Sequence, residues 1–270
     1  MSATAALMPH QRAFGRAELF VKPGGGTTRL DRLYQEGCAK IRLPRPQGTA
    51  EAVLINTAGG LTGGDRISWQ IAAGDGTHLV LTTQAAERVY RSLGSAAAVT
   101  TTISVGAGAT VEWLPQETIL FEESHLRRRL EVDLGPGARF LGLEAVLLGR
   151  EAMGEDALLA RLADDWRLRQ EGRIVHAEAT RLEPDPLIRT GASLLAGNRA
   201  FATLVYIGPD AEMRLAALLA LNLPGLAASA FNGKLVLRAL APSGLELRRT
   251  LTPVIGLLSK ARTLPRLWTF

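Results

Sequence analysis

Three stretches of this chain share one pattern, and it restricts the fold. Ile67, Trp69 and Ile71 alternate with polar residues, run into Gly74-Asp75-Gly76, and continue as Leu79-Val80-Leu81. Thr101, Ile103 and Val105 run into Gly106-Ala107-Gly108 and then Val111-Glu112-Trp113. Leu130, Val132 and Leu134 run into Gly135-Pro136-Gly137 and then Leu141-Gly142-Leu143. The turns begin at residues 74, 106 and 135, so they recur 32 and then 29 residues apart. Period-2 alternation on both sides of a glycine turn is the signature of a β-hairpin. Three copies at near-constant spacing predict stacked, similar β units whose inward faces share one core.

The remaining segments fit around this stack. Residues 1–15 are small and polar, and disorder is expected there; Glu18 to Val21 reads as a strand and Gly24-Gly25-Gly26 as a tip. Leu30 to Leu43 is strand-like until Pro44 and Pro46 end it, and Ala52 to Ile55 is a short apolar strand. Glu155 to Ala163 is helical on propensity alone, whereas Trp166–Leu168, Glu171-Gly172 and Ile174–His176 read as a hairpin. Ala200–Ile207 and Leu235–Leu240 are strand-like. Asp210 is placed to cap a helix through Leu221, with Leu215, Leu218 and Leu219 on one face and Pro224 as its stop. Leu245 to Arg262 is ambiguous because Pro253 interrupts it. No linker divides the chain, so 1–270 is expected to be one domain.

Composition narrows the function classes. The net charge of +5 is spread along the chain, and aromatics make up only 5%. A nucleic-acid surface would need a coherent basic patch with stacking rings. The densest basic run, Arg127-Arg128-Arg129 after Glu122 and Glu123, reads as a solvated strand face. The lone Cys38 rules out an internal disulfide or a cysteine metal cluster. No apolar run approaches the roughly 18–20 residues of a membrane span, and the start lacks a secretory apolar core, so a cytoplasmic location is expected.

The glycine-rich loop Gly59-Gly60-Leu61-Thr62-Gly63-Gly64 is the most distinctive motif. Glycine amides can cradle phosphate, but a P-loop needs Lys and Ser/Thr after its last glycine, and here Asp65-Arg66 follow. Asp65 either bonds loop amides or presents a carboxylate to a cation. Glu87, Glu117 and Glu144 occupy comparable points after the second strand of each repeat, where a shared end would bring carboxylates together; exposed edge charges without function are the preferred reading. His10, His78, His125 and His176 form no pair at zinc-site spacing, and no Gly-x-Ser-x-Gly elbow occurs. Thr82-Thr83-Gln84 has no supporting His or Asp in an obvious position, so no catalytic apparatus is expected.

The segments NTAGGLTGGDRI, LTTQAAERVYRS, PQETILF and LLGREAMGE resemble the signature segments of the urease accessory protein family UreD, also called UreH. TTRLDRLYQEGCAKIRLPRP resembles that family's N-terminal segment, and the likeness runs from about residue 15 to residue 207. The resemblance implies a mainly β fold: a helicoid stack of β-hairpins with one or two α-helices toward the C-terminus, and strand rather than helix over Glu155–Ala163. It implies a non-catalytic scaffold that acts with UreF, with UreG through UreF, and with apo-urease. The resemblance further implies no permanently bound cofactor, and nickel in transit through an internal tunnel lined partly by acidic and polar side chains. On that picture Asp65, Thr82, Thr83, Gln84, Glu87 and Glu117 are the candidate lining residues. Oxygen ligands suit a route that must release nickel, whereas thiolates would trap it. Two alternatives stand beside this reading: a β-helical carbohydrate-active enzyme, which needs an acidic pair on an aromatic-lined groove, and an adaptor that never touches metal. Trp69 and Trp113 are assigned to the core in either case.

Overall fold

The computed structural model describes residues 12–44, 49–185, 190–261 and 264–269. The expected disorder over 1–15 therefore falls mostly outside the described residues, as does Pro46. Within them, Ala13 is already held by Asp65, and the first strand starts at Phe14.

The chain is mainly β, a stack of strands in two sheets. The first sheet has seven strands: β1 (Phe14–Gly24), β2 (Thr27–Gly37), β5 (Arg66–Ala73), β8 (Ala97–Val105), β11 (His125–Leu134), β13 (Arg161–Gln170) and β14 (Arg173–Leu182). Their spatial order is β14-β13-β11-β8-β5-β1-β2. The second sheet runs β16 (Leu226–Phe231), β17 (Lys234–Ala241), β15 (Ala200–Ile207), β12 (Arg139–Leu148), β9 (Thr110–Trp113), β6 (His78–Thr83), β4 (Ala50–Asn56) and β3 (Ala39–Arg42). Two three-residue strands, β7 (Glu87–Val89) and β10 (Thr118–Leu120), pair with each other, and β10 also pairs with β12.

The three glycine turns each carry the chain from the first sheet to the second. The flanking strands therefore do not form hairpins with one another. β5, β8 and β11 pair in parallel with each other, as do β6, β9 and β12. Trp69 lies opposite Thr101 and Thr101 opposite Leu130, offsets of 32 and 29 that reproduce the sequence spacing. The repeat is thus the rise of a coil. The last glycine of each turn (Gly76, Gly108 and Gly137, φ of 66°, 63° and 65°) adopts the left-handed conformation glycine enters without strain. True hairpins occur at the two ends of the first sheet, β1–β2 and the expected β13–β14.

Alternation along these strands packs Trp69, Trp113, Trp166, Leu130 and Phe140 between the sheets. The outer face of the second sheet is covered by the helices Ala211–Ala220 and Gly244–Leu258, through Leu218, Leu247, Leu251, Val254 and Ile255. Leu218 is buried as expected but Leu219 is exposed. Asp210 stands at the N-cap of the first helix, yet its carboxylate is spent on Arg139, Tyr206 and Arg214 rather than on helix amides. The second helix runs through Pro253, and its start is fixed by the Ser243 hydroxyl, which accepts from the Glu246 amide. Residues 151–160 make a short 3-10 turn and irregular chain, and strand begins only at Arg161, so neither helix nor strand holds over all of Glu155–Ala163.

Candidate functional site

A cavity of about 190 Å³ lies between the two sheets beside the glycine-rich loop. Its polar lining comes from successive coils: Asn56, Thr83, Gln84 and Glu87, then Thr101, Gln116 and Thr118, then Arg128 and Glu144. Trp69 and Trp113 supply apolar wall and are 6% and 5% exposed, as expected of core residues.

The loop shapes one side of this space. Gly60 has φ of 145°, and a β-carbon there would come within 2.4 Å of the Tyr90 ring and 2.8 Å of the Arg88 carbonyl. Several of the loop's amides are engaged: Leu61 N–H donates to the Arg88 carbonyl, Gly64 N–H to that of Ala96, and Thr62 N–H to the Asp65 carboxylate. Gly60→Val should therefore displace Tyr90 and the loop, lowering stability by about 1–3 kcal/mol. Urea unfolding of the variant would check this, and an unchanged midpoint would refute it.

The six residues singled out from sequence fall into three places. Thr83, Gln84 and Glu87 line the cavity together. Asp65 is buried and occupied: its two oxygens accept from Ala13 N–H and Thr62 N–H, both at 2.8 Å. Thr82 and Glu117 lie under the last helix, with Gln116 bonded to Thr82 and Arg248 ion-paired to Glu117 at 2.8 Å. Neighbouring residues on a strand point to opposite faces, so Thr82 cannot share the cavity that Thr83 lines. Glu117 instead lines an outer groove of about 740 Å³ with Arg88, Ile119, Leu147, Leu245 and Arg248.

Glu87 is the cavity's near-surface carboxylate. Asn56 donates to both its oxygens, at 3.1 and 3.2 Å. Burial pushes its pKa up to about 7, with the Asn56 bond opposing. The folded chain therefore holds this proton more tightly than the unfolded chain. The resulting penalty is fully present above pH 7 and is relieved as pH falls toward 4.5. Glu87→Gln should flatten that part of the stability profile and raise stability at pH 8 by about 1–3 kcal/mol. Denaturant midpoints at pH 5 and pH 8 test it; an unaltered pH dependence would contradict the assignment.

The inner end is a buried ionic cluster missed in the sequence. Arg128 on β11 is ion-paired to Glu144 on β12 and to Asp164 on β13, the latter at 2.6 Å, and donates to Thr118 at 3.0 Å. Trp113 Nε1–H donates to Glu144 at 2.9 Å, and Trp166 Nε1–H to Asp164 at 3.2 Å. Arg128, Glu144 and Asp164 are 8%, 5% and 5% exposed. Burial pushes the Glu144 carboxyl up to about 7 against the pull of Arg128. Burial alone would lower the Arg128 pKa, but Asp164 and Glu144 outweigh it and hold it above its ordinary value. The solvated-face reading thus holds for Arg127 and Arg129 and fails for Arg128. The signal was available, because Arg128 stands in the alternating register of Leu126, Leu130, Val132 and Leu134.

Among the described residues no three His, Cys, Asp or Glu side chains converge to hold a metal ion. The cavity's oxygens come mainly from amides, hydroxyls and single carboxylates, a donor set that meets a cation without enclosing it.

The sequence model of the family described as UreD urease accessory protein matches residues 13–269. The chain belongs to the UreD urease accessory protein family. It is 60% identical over 264 residues to the urease accessory protein UreD of Chelativorans sp. (strain BNC1), covering 97% of this chain and 95% of that one. It is 51% identical to the urease accessory protein UreD of Sinorhizobium medicae (strain WSM419), over the whole of both chains. The urease accessory protein UreD of Agrobacterium fabrum is also 51% identical, over 96% of this chain and 92% of its own. The UreD likeness therefore continues past residue 207 through β17 and both helices.

Proposed function

We propose that this UreD-family chain is a non-catalytic scaffold in urease maturation, and that nickel crosses it through the inter-sheet cavity on its way into apo-urease. UreF and apo-urease are the proposed direct partners, with UreG, the GTPase of the set, reached through UreF. The observation that carries the transit reading is the cavity itself. Three coils deliver Asn56, Thr83, Gln84, Glu87 and Thr118 to one space between the sheets. Filling such a space with amides and hydroxyls weakens the core, which argues for a role beyond packing. Oxygen ligands that neither converge nor include thiolate give the weak hold that a transfer route needs.

The enzyme alternative gains nothing from this geometry: Glu144 is tied to Arg128, and both tryptophans are interior. The metal-free adaptor is the reading to separate. Asp65 cannot separate it, since its carboxylate supports the loop backbone. Thr83→Val together with Glu87→Gln is the better probe, because it removes the Thr83 hydroxyl and the Glu87 charge from the cavity lining and leaves Glu117 and Arg248 of the outer groove untouched. With accessory complex assembly unchanged, urease nickel content is expected to fall at least threefold at limiting nickel. Normal nickel content would favour the adaptor.

A further inference from the structure

The buried cluster at the inner end of the cavity bears on how a cation route avoids becoming a cation trap, and it rests on the transit reading only for its biological purpose. Glu144 and Asp164 come from different sheets, and each has one oxygen on an indole N–H and the other on the same guanidinium. Two carboxylates buried side by side in a core must either take up a proton or be matched by a cation. Here one guanidinium is that cation. Arg128 and Glu144 both line the cavity, so a cation inside it meets this pair directly. The Arg128 Nε is buried and has no hydrogen-bond partner, so the side chain is held through its two terminal nitrogens alone.

We infer that Arg128 is a resident counter-cation, filling a latent divalent-metal site formed by Glu144 and Asp164 and keeping the inner wall of the cavity from capturing metal. The positive charge is built into the chain, cannot be deprotonated at working pH, and is tethered where a metal ion would sit. A cation in the cavity then finds amides, hydroxyls and Glu87 within reach, while the strongest acidic pair is already satisfied. Charge balance supports the same picture. Two carboxylates face one guanidinium, and each has its other oxygen on an indole N–H, so little of the pair's negative charge is left to draw a second cation.

The test titrates the purified full chain with Ni²⁺ alone, by equilibrium dialysis and by tryptophan fluorescence. Both cluster indoles contact the carboxylates, so a paramagnetic ion bound there must quench them. The wild-type chain is expected to show no saturable quenching. Arg128→Met should gain one saturable site per chain, at least tenfold tighter than any wild-type binding, with quenching to match. Arg128→Met combined with Glu144→Gln should lose that site. A folded Arg128→Met chain that gains no metal would overturn the inference. So would a wild-type chain that quenches saturably and loses the effect on Glu144→Gln. Should Arg128→Met fail to fold, this wild-type titration decides alone: a flat curve supports the resident cation and a saturable, Glu144-dependent one refutes it. Urease loading separates the two readings. If Arg128→Met captures nickel in isolation yet loads urease normally, the counter-cation role stands and transit through this cavity does not.

Discussion

Replacing Arg128 with Met is expected to lower the unfolding free energy by about 3–5 kcal/mol, the usual cost of removing one partner from a buried ion pair. The cost arises from what remains. Glu144 and Asp164 would stay inside the sandwich, each 5% exposed, with one indole N–H apiece and no cation. Adding Glu144→Gln and Asp164→Asn should recover part of the loss, because the neutral amides no longer need the guanidinium. A double-mutant cycle would give this coupling directly. The pH dependence has a defined sign. Glu144 in the folded chain titrates near 7, above the 4.5 of a free glutamate, so the folded state binds more protons between these values. Stability should rise as pH falls through that window, and more steeply once Arg128 no longer opposes protonation. Urea midpoints for the single and combined variants at pH 5.5 and 7.5 test both statements. A single variant as stable as the wild type would mean that the cluster is solvated.

What could be read from residues alone follows from which interactions are local. The Gly-x-Gly spacing of 32 and 29 is the strand register itself, so the stacked architecture was legible. Parallel pairing was not, because a turn that crosses between sheets and a turn that closes a hairpin use the same glycines. Pro253 makes the second helix ambiguous in the sequence, although Ser243-x-x-Glu246 is a capping-box signature at its start. The site was legible in pieces. Thr83, Gln84 and Glu87 are close in sequence and reach one cavity. Thr82 and Glu117 needed the alternation rule applied residue by residue, and it sends them to the opposite face beneath Arg248. Arg128, Glu144 and Asp164 belong to three different strands, and only tertiary register brings them together. The charge run around Arg128 concealed that one member of it points inward.

Thr101→Phe offers the largest expected functional effect with the smallest disturbance of charge. Thr101 lies on β8 opposite Trp69 and Leu130, is 3% exposed, and faces the cavity. Its hydroxyl contributes no side-chain hydrogen bond among those found in the described residues, so losing it leaves no partner stranded. A phenyl ring there would occupy much of the roughly 190 Å³ space between Thr83, Thr118 and Glu144. Inserting bulk into a filled core costs about 1–3 kcal/mol, but a pre-existing cavity should hold the cost to about 1 kcal/mol or less, with the dispersion contacts that the void now lacks partly compensating. The outer surface is untouched, so assembly with the maturation partners should proceed. On the transit reading, nickel content of co-expressed urease should fall tenfold or more at limiting nickel. A reversal to Thr101→Ser, which reopens the space and keeps a hydroxyl, should restore it. If the filled variant folds, assembles and loads urease fully, the cavity is a packing defect and nickel reaches urease by another path.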